Sequence, residues 1–386
     1  MIIDFKKITW LPFSIIILLT IHMCLSLADM EVAIVSYGVH GLFLLSFAFM
    51  FFLYLRKGEM SLYVILCFIY QFLLLSMTIV NNNDIKNCFY FACEAIFIVT
   101  IFEYYKERLN MVLFAFATGF SICVYLALYQ ILTNPTLWNI DYTQSAGGYL
   151  LGNNYNQMGC RLICAIVTNI ICARIKKWYY INAIPVILAS VILLTIVQSM
   201  TSLTCILLFI LLIIIPYKKI QKIGIVSLFT FVLLFQLLVC FNGKGIENNE
   251  LAVYFIEDVL KKDITFTNRT EMWDAASKTF FESPIWGHGY VDGEWYLTHM
   301  SSRATGPHNQ IYSILIYGGI LLFILFIILF LMSLMKIAIG TDKTNNTIFA
   351  AIACFMLMAT MEAFPFAFTL FLLSLAFFSP FIKNDY

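Results

Sequence analysis

Apolar runs about as long as a bilayer crossing recur along almost the whole chain, and nothing else in the sequence restricts the fold as much. A helix needs about 20 predominantly apolar residues to cross the hydrocarbon core. Twelve such runs are found, near 10–27, 35–55, 61–80, 88–104, 111–132, 157–173, 180–197, 202–216, 223–241, 309–335, 347–361 and 365–382. The last two form one apolar stretch, split here because Glu362 and Pro365 interrupt it. Composition agrees: of 386 residues 62% are hydrophobic and 12% charged, against roughly 25% charged in a soluble domain. The expected fold is all-α, a polytopic transmembrane helix bundle of about 12 spans forming one membrane domain over 1–386. Lys6 and Lys7 before the first run resemble the start of a signal peptide, but no convincing small-residue cleavage site follows, so an uncleaved first span is expected. No internal repeat, low-complexity tract or second soluble domain is seen.

Charge tests the count. Cytoplasmic segments of membrane proteins carry an excess of Lys and Arg. With the N-terminus in the cytoplasm, the cytoplasmic segments hold fifteen of them and the short outer loops only Lys86. One missed span would swap the sides of everything after it. The asymmetry therefore supports the count, cytoplasmic N- and C-termini, and an outward position for the long polar loop at 242–308, after the ninth span. The net charge of +1 says nothing about partners, and no feature points to nucleic acid. Most of the eleven cysteines lie inside apolar runs and none forms a Cys-x-x-Cys pair, so they read as packing residues; no metal site or other cofactor is expected.

The outer loop, from about Phe241 to Asn309, is the expected seat of any chemistry. Outside the plasma membrane there is no ATP, so an enzyme there must use an activated substrate or hydrolyse something. The absence of a Walker A loop and of a dinucleotide glycine pattern agrees. Arg269 can bind phosphate through its planar fork, or pair with Glu271 or Asp274. His308, between Pro307 and Asn309, can act as general base on a hydroxyl, or cap a helix. His288, between Gly287 and Gly289, reads as part of a tight turn. Arg161 sits a few residues into the sixth span, where a charge is costly and a functional candidate, or can snorkel to the outer headgroups. Glu94 and Glu362 can each pair with an Arg across the bundle or be protonated polar contacts. Ser199, Thr201, Ser202 and Thr204, at an outer turn, can cap helix ends or bind glycan or phosphate. Trp286, Tyr290, Trp295 and Tyr296 can anchor the loop at the interface or stack on sugars.

Taken together and in order, several of these residues resemble the O-antigen ligase and Wzy polymerase superfamily. The pattern is Arg269-x-x-x-Trp273, then Pro284-x-x-Gly287-x-Gly289, then His308-Asn309, then Gly318-Gly319 before an apolar span. Gly152-Asn153-Asn154-x-Asn156 is similar to the family's Gly-Asn-x-Asn stretch at the start of a span. The motif region covers roughly 150–330. The resemblance implies a GT-C-type, inverting, metal-independent glycosyltransferase in the bacterial plasma membrane. It would move glycan from an undecaprenyl-diphosphate donor to an acceptor hydroxyl, with Arg269 on the diphosphate and His308 on the hydroxyl. Trp273, Asn309, Asn156, Ser199 and Thr201 fall among its substrate-binding positions. Its implied partners are the lipid-linked donor and acceptor, the bilayer, and a chain-length regulator and flippase of the same pathway. One departure stands out: Met200 occupies the place of an expected Arg. Arg161 or Arg303 would have to supply that charge. A polymerase of O-antigen, capsular or exopolysaccharide repeat units is the leading expectation, and a ligase the alternative. A flippase would need central charges and internal repeats.

Overall fold

The computed structural model describes residues 10–25, 33–138, 148–152, 154–215, 218–243, 248, 250–254, 269–300, 305–339 and 342–383. The expected Arg303, like Asn153, lies outside the described residues. The chain is all-helical. Among the described residues nine α-helices precede the loop: α1 (Trp10–Cys24), α2 (Ala33–Lys57), α3 (Leu62–Val80), α4 (Ile85–Tyr104), α5 (Leu109–Thr133), α6 (Met158–Ile175), α7 (Tyr180–Ile196), α8 (Met200–Ile214) and α9 (Lys218–Phe235). The loop carries α10 (Glu250–Val253), α11 (Arg269–Glu282) and α12 (Gly293–His299). Then come α13 (Gln310–Ile339), α14 (Lys343–Ala359) and α15 (Phe366–Phe377). The twelve apolar runs coincide with α1–α9 and α13–α15. Among the described residues eight helices are long and apolar enough to cross a membrane, which makes this a multi-pass membrane protein. The other four runs form shorter helices: α1 and α8 of 15 residues, α14 of 17 and α15 of 12. The break between α14 and α15 falls where Glu362 and Pro365 stand, and Pro365 occupies the N-cap position of α15.

Successive helices alternate in direction. Contacts gather the ends of α1, α3, α9 and α14 and the starts of α4, α6, α8 and α13 at the end of the bundle that carries the loop. The centre is α6, buried along its whole length except Arg174. Helices in lipid gain little from hydrophobic burial against one another, so close backbone approach through small residues matters more. Gly119 of α5 faces Thr20 of α1 so closely that a Cβ would lie 2.7 Å from the Thr20 Cβ. Gly159 of α6 does the same against Ser202 of α8 and Met358 of α14. All eleven cysteines are buried and free.

The loop is held to the bundle by a break in α13. Gly318 and Gly319 leave helical geometry, Gly319 with φ of +59°. The break frees the carbonyls of Ile316 and Tyr317, and the loop takes them: His288 N–H donates to Ile316 O at 2.8 Å and Gly289 N–H to Tyr317 O at 2.8 Å. In return Ile320 N–H donates to Pro284 O at 2.9 Å. The same strap reaches the α3–α4 turn, where Asn83 Nδ2 donates to His288 O and Tyr290 N–H to Thr78 Oγ1 at 2.8 Å. Two sequence-distant glycine motifs are thus the two halves of one joint.

Candidate functional site

The chain enters α13 through a conformation that must be forced. His308 has φ of +45°, in the left-handed region that a β-carbon disfavours. Asn309, fully buried, holds it. Its Oδ1 caps α13, accepting from Ile311 N–H at 3.0 Å and Tyr312 N–H at 3.1 Å. Its Nδ2 donates to Gln236 Oε1 at 2.8 Å and to Thr360 O at 3.0 Å. Gln236 opens a π-helical turn, Gln236–Cys240, that continues α9; such turns often mark functional sites. Asn309 therefore ties α9, α13 and the end of α14 into one corner, a cross-bundle role beyond cap or substrate contact.

That corner presents a pair of side chains. His308 Nδ1 lies 3.1 Å from Glu362 Oε2 in the α14–α15 turn, with 23% and 13% of the two side chains exposed. Glu362 therefore pairs with a histidine instead of an arginine. Glu94 does likewise: His22 Nδ1 meets its Oε1 at 2.8 Å, and His22 Nε2 meets His40 Nδ1 at 2.8 Å. In both cases the partner lies far along the chain, 54 positions for Glu362 and 72 for Glu94, which no local pattern encodes. An ionised carboxylate can only accept a hydrogen bond. With Glu362 ionised, Nδ1 carries the hydrogen and Nε2 keeps its lone pair, the arrangement of a base oriented by a third group.

The other expected residues take up distinct places. Trp273 is fully buried, with its Nε1 3.5 Å from His308 O; it packs against Tyr296, Tyr312 and Ile316 and supports the backbone of His308. Arg269 is half-buried at the start of α11, one turn before Trp273 and so on the same helix face. Arg161 is 8% exposed and does not snorkel. Its Nε donates to Cys24 O at 3.1 Å and one terminal nitrogen to Gln157 O at 2.6 Å, and the guanidinium lies 4.8 Å from the centre of the Phe368 ring. Gly152, with φ of +87°, lets the backbone close on this guanidinium; a Cβ there would lie 2.6 Å from it. Gln157 links Arg161 to the site, since its Nε2 donates to Ala363 O at 2.7 Å, beside Glu362. Gln157 Oε1 is buried without a hydrogen-bond partner among the described residues. Asn156 lies half-buried in the turn before α6, where its N–H donates to Asn154 Oδ1 at 2.9 Å. Ser199 stands at the N-cap position of α8 but does not cap it; its hydroxyl meets Ser202 Oγ at 3.2 Å, against Gly159. Thr201 and Met200 are exposed. His288 serves the strap, with Nε2 3.0 Å from Thr279 O and its ring beside Trp295. Tyr296 is buried and packs inside the loop, and burial pushes its hydroxyl and that of Tyr290 well above their ordinary pKa. Trp286 is exposed.

Residue-level reading did not single out Gln157 or Gln236. Their signal was present, as polar side chains at or inside the ends of apolar runs, but their partners lie far along the chain. Between α11 and α12 a cavity of about 370 Å³ opens, lined by Glu271, Asp274, Lys278, Thr279, Glu282 and His299. Carboxylates accept hydrogen bonds from hydroxyls, so a lining of this kind suits a sugar.

Residues 183–327 match the Wzy_C family model, described as O-antigen ligase. The matched segment runs from α7 into α13 and takes in the strap, Arg269, Trp273 and His308. It supports the resemblance to the O-antigen ligase and Wzy superfamily, and with it a glycosyltransferase-like enzyme of ligase or polymerase type acting on lipid-linked glycan in the membrane. No curated protein matches the chain.

Proposed function

We propose that this chain is a polysaccharide polymerase at the outer face of the bacterial plasma membrane. It would join undecaprenyl-diphosphate-linked repeat units into O-antigen, capsular or exopolysaccharide. The observation that carries the reading is the His308–Glu362 pair at the point where the loop re-enters the bundle, 3.1 Å apart.

The acceptor hydroxyl attacks the anomeric carbon of the donor sugar, and the bond from that carbon to the diphosphate oxygen breaks. The diphosphate leaves with the bonding electrons, and the hydroxyl proton passes to His308 Nε2. Attack opposite the leaving group inverts the anomeric centre. Glu362 stabilises the imidazolium as it forms. Arg269 offsets the charge released on the diphosphate, by a fork that can hold two oxygens at once. The sugar diphosphate is its own activated group, so no step needs ATP. Arg161 acts at one remove through Gln157, setting the α14–α15 turn that carries Glu362. The polyprenyl tail stays in the bilayer, so the site must open sideways to lipid.

Ligation of finished glycan to a lipid core or a protein is the second reading, favoured by the description of the matching family model as O-antigen ligase. One experiment separates the two. In a deletion strain, surface and carrier-linked glycan are run on gels. Single repeat units, with a ladder restored by the wild-type gene but not by Arg269→Ala or His308→Ala at normal abundance, support the polymerase. Long polymer stranded on the carrier lipid means a ligase. A normal ladder from both variants rejects both site assignments.

A further inference from the structure

The end of the bundle opposite His308 holds a cavity of about 640 Å³. It lies where α6 and α8 end and where α7, α9 and α14 begin. Four of its lining residues are cations from four separate segments: Arg174 at the end of α6, Lys177 before α7, Lys218 opening α9 and Lys343 opening α14. The one carboxylate among the lining residues, Asp342, is already engaged, its Oδ1 accepting from Asn345 N–H at 2.7 Å as the cap of α14. Ile213, Ile214 and Ile215 form an apolar wall. Ile214 of this wall is also exposed at the protein surface, as are Ile181 in α7 and Ile220 in α9.

Cations at helix starts run against the helix dipole, which favours negative charge there. Yet α9 opens on Lys218 and Lys219 with no acidic residue in its first turn, and α14 opens on Lys343. Thr344, buried and lining the cavity, makes no side-chain hydrogen bond among the described residues. The scaffold around it is firm: Gln221 donates to Leu212 O at 3.1 Å and accepts from Asn346 Nδ2 at 2.9 Å, and Arg174 donates to Thr347 Oγ1. An excess of basic residues on one membrane face is ordinary topology. Four cations lining one cavity, with the uncapped start of α9 and the hydroxyl of Thr344 at its wall, form a place for a bound anion.

We infer that this cavity binds the phosphate headgroup of an anionic membrane lipid, with its acyl chains along the isoleucine wall. A phosphodiester places negative charge beside Lys177, Lys218 and the start of α9, which has no acidic residue in its first turn, and its oxygens accept from Lys177, Lys218 and the Thr344 hydroxyl. The apolar wall beside the cations selects an amphiphile over a free ion. Basic pockets between transmembrane helices bind anionic headgroups by the same physics. The inference concerns the face opposite the proposed active site and does not depend on the reaction there.

The test uses the full-length protein in detergent, titrated with phosphatidylglycerol, phosphatidylcholine or inorganic phosphate and followed by native mass spectrometry. The wild type should retain phosphatidylglycerol through gas-phase activation and not phosphatidylcholine. The double variant Lys177→Gln/Lys218→Gln should bind phosphatidylglycerol about thirtyfold more weakly, while Lys57→Gln/Lys106→Gln, which removes two cations away from the cavity, should bind as wild type. Equal loss in both variants would mean that only general surface charge is read, and would overturn the site. Unchanged binding in the cavity variant would overturn it too. Displacement of the lipid by millimolar inorganic phosphate would overturn the lipid assignment.

Discussion

Glu362→Gln is the most informative single change. It keeps the length and shape of the side chain and removes its charge. The His308–Glu362 contact, at 3.1 Å and with the two side chains 23% and 13% exposed, is a charge-assisted bond in a partly desolvated place. Bonds to charged groups contribute about 1.5–3 kcal/mol. The imidazolium that needs this charge forms mainly in the transition state, so most of the loss falls on the rate. At about 1.4 kcal/mol per factor of ten, the charge alone predicts a slowing of roughly 10- to 150-fold. The glutamine amide adds a second effect. Its NH₂ can donate to Nδ1, which moves the imidazole hydrogen to Nε2 and removes the base; the comparable change in serine proteases costs about 10⁴-fold. The expected rate is therefore about 10²- to 10⁴-fold below wild type, at normal abundance because neither side chain is deeply buried. Glu362→Asp keeps the charge with a shorter reach and should lose about tenfold. The assay is repeat-unit polymerisation by purified protein from a lipid-linked substrate, beside the ladder made in a deletion strain. If Glu362→Gln works at the wild-type rate while His308→Ala is inactive, Glu362 does not orient the base and the dyad reading fails.

Asn309→Ala removes the α13 cap and leaves Gln236 without its partner in a buried corner; a loss of about 2–4 kcal/mol is expected, read as reduced thermal stability with a fall in activity. Gly319→Ala puts a β-carbon at φ of +59° and 2.3 Å from Ile285 O, so the strap must detach; protease cutting in the loop should speed up while the rest of the bundle stays resistant. Trp273→Phe keeps one aromatic ring but removes the pyrrole ring, with its long hydrogen bond to His308 O, from a fully buried site; the cavity and the lost bond should together cost about 1–3 kcal/mol, read as lower thermal stability with a fall in rate. Arg161→Lys retains the charge but cannot reach Cys24 O and Gln157 O together; if Arg161 sets the Glu362 turn, activity falls with this variant as with Arg161→Ala, and full activity of Arg161→Ala would end that idea.

The transmembrane character, the number and order of the apolar runs and the break at Glu362–Pro365 were legible in the sequence, because a bilayer demands long apolar stretches whatever surrounds them. The interruption near Gly318–Gly319 was also visible as a motif, since glycine marks backbone that other residues resist. Its purpose was not. Only the folded chain shows that the freed carbonyls of Ile316 and Tyr317 are taken by His288 and Gly289, some thirty residues earlier. His308 could be named from its setting, but not its partner. Glu362 lies 54 positions away and was as readily assigned to an arginine. Ser199 reads from the sequence as a helix cap or a substrate contact, and its hydroxyl meets Ser202 without capping α8. Arg161 was open to snorkelling and is instead buried against carbonyls from two segments. The division has one physical cause. Hydrophobic length, helix breaking and charge asymmetry act over a few turns of chain and leave their mark locally. The pairing of polar groups inside a bundle depends on which helix ends meet, and that is set by the packing of the small residues at Gly119 and Gly159 and by the joint at Gly319.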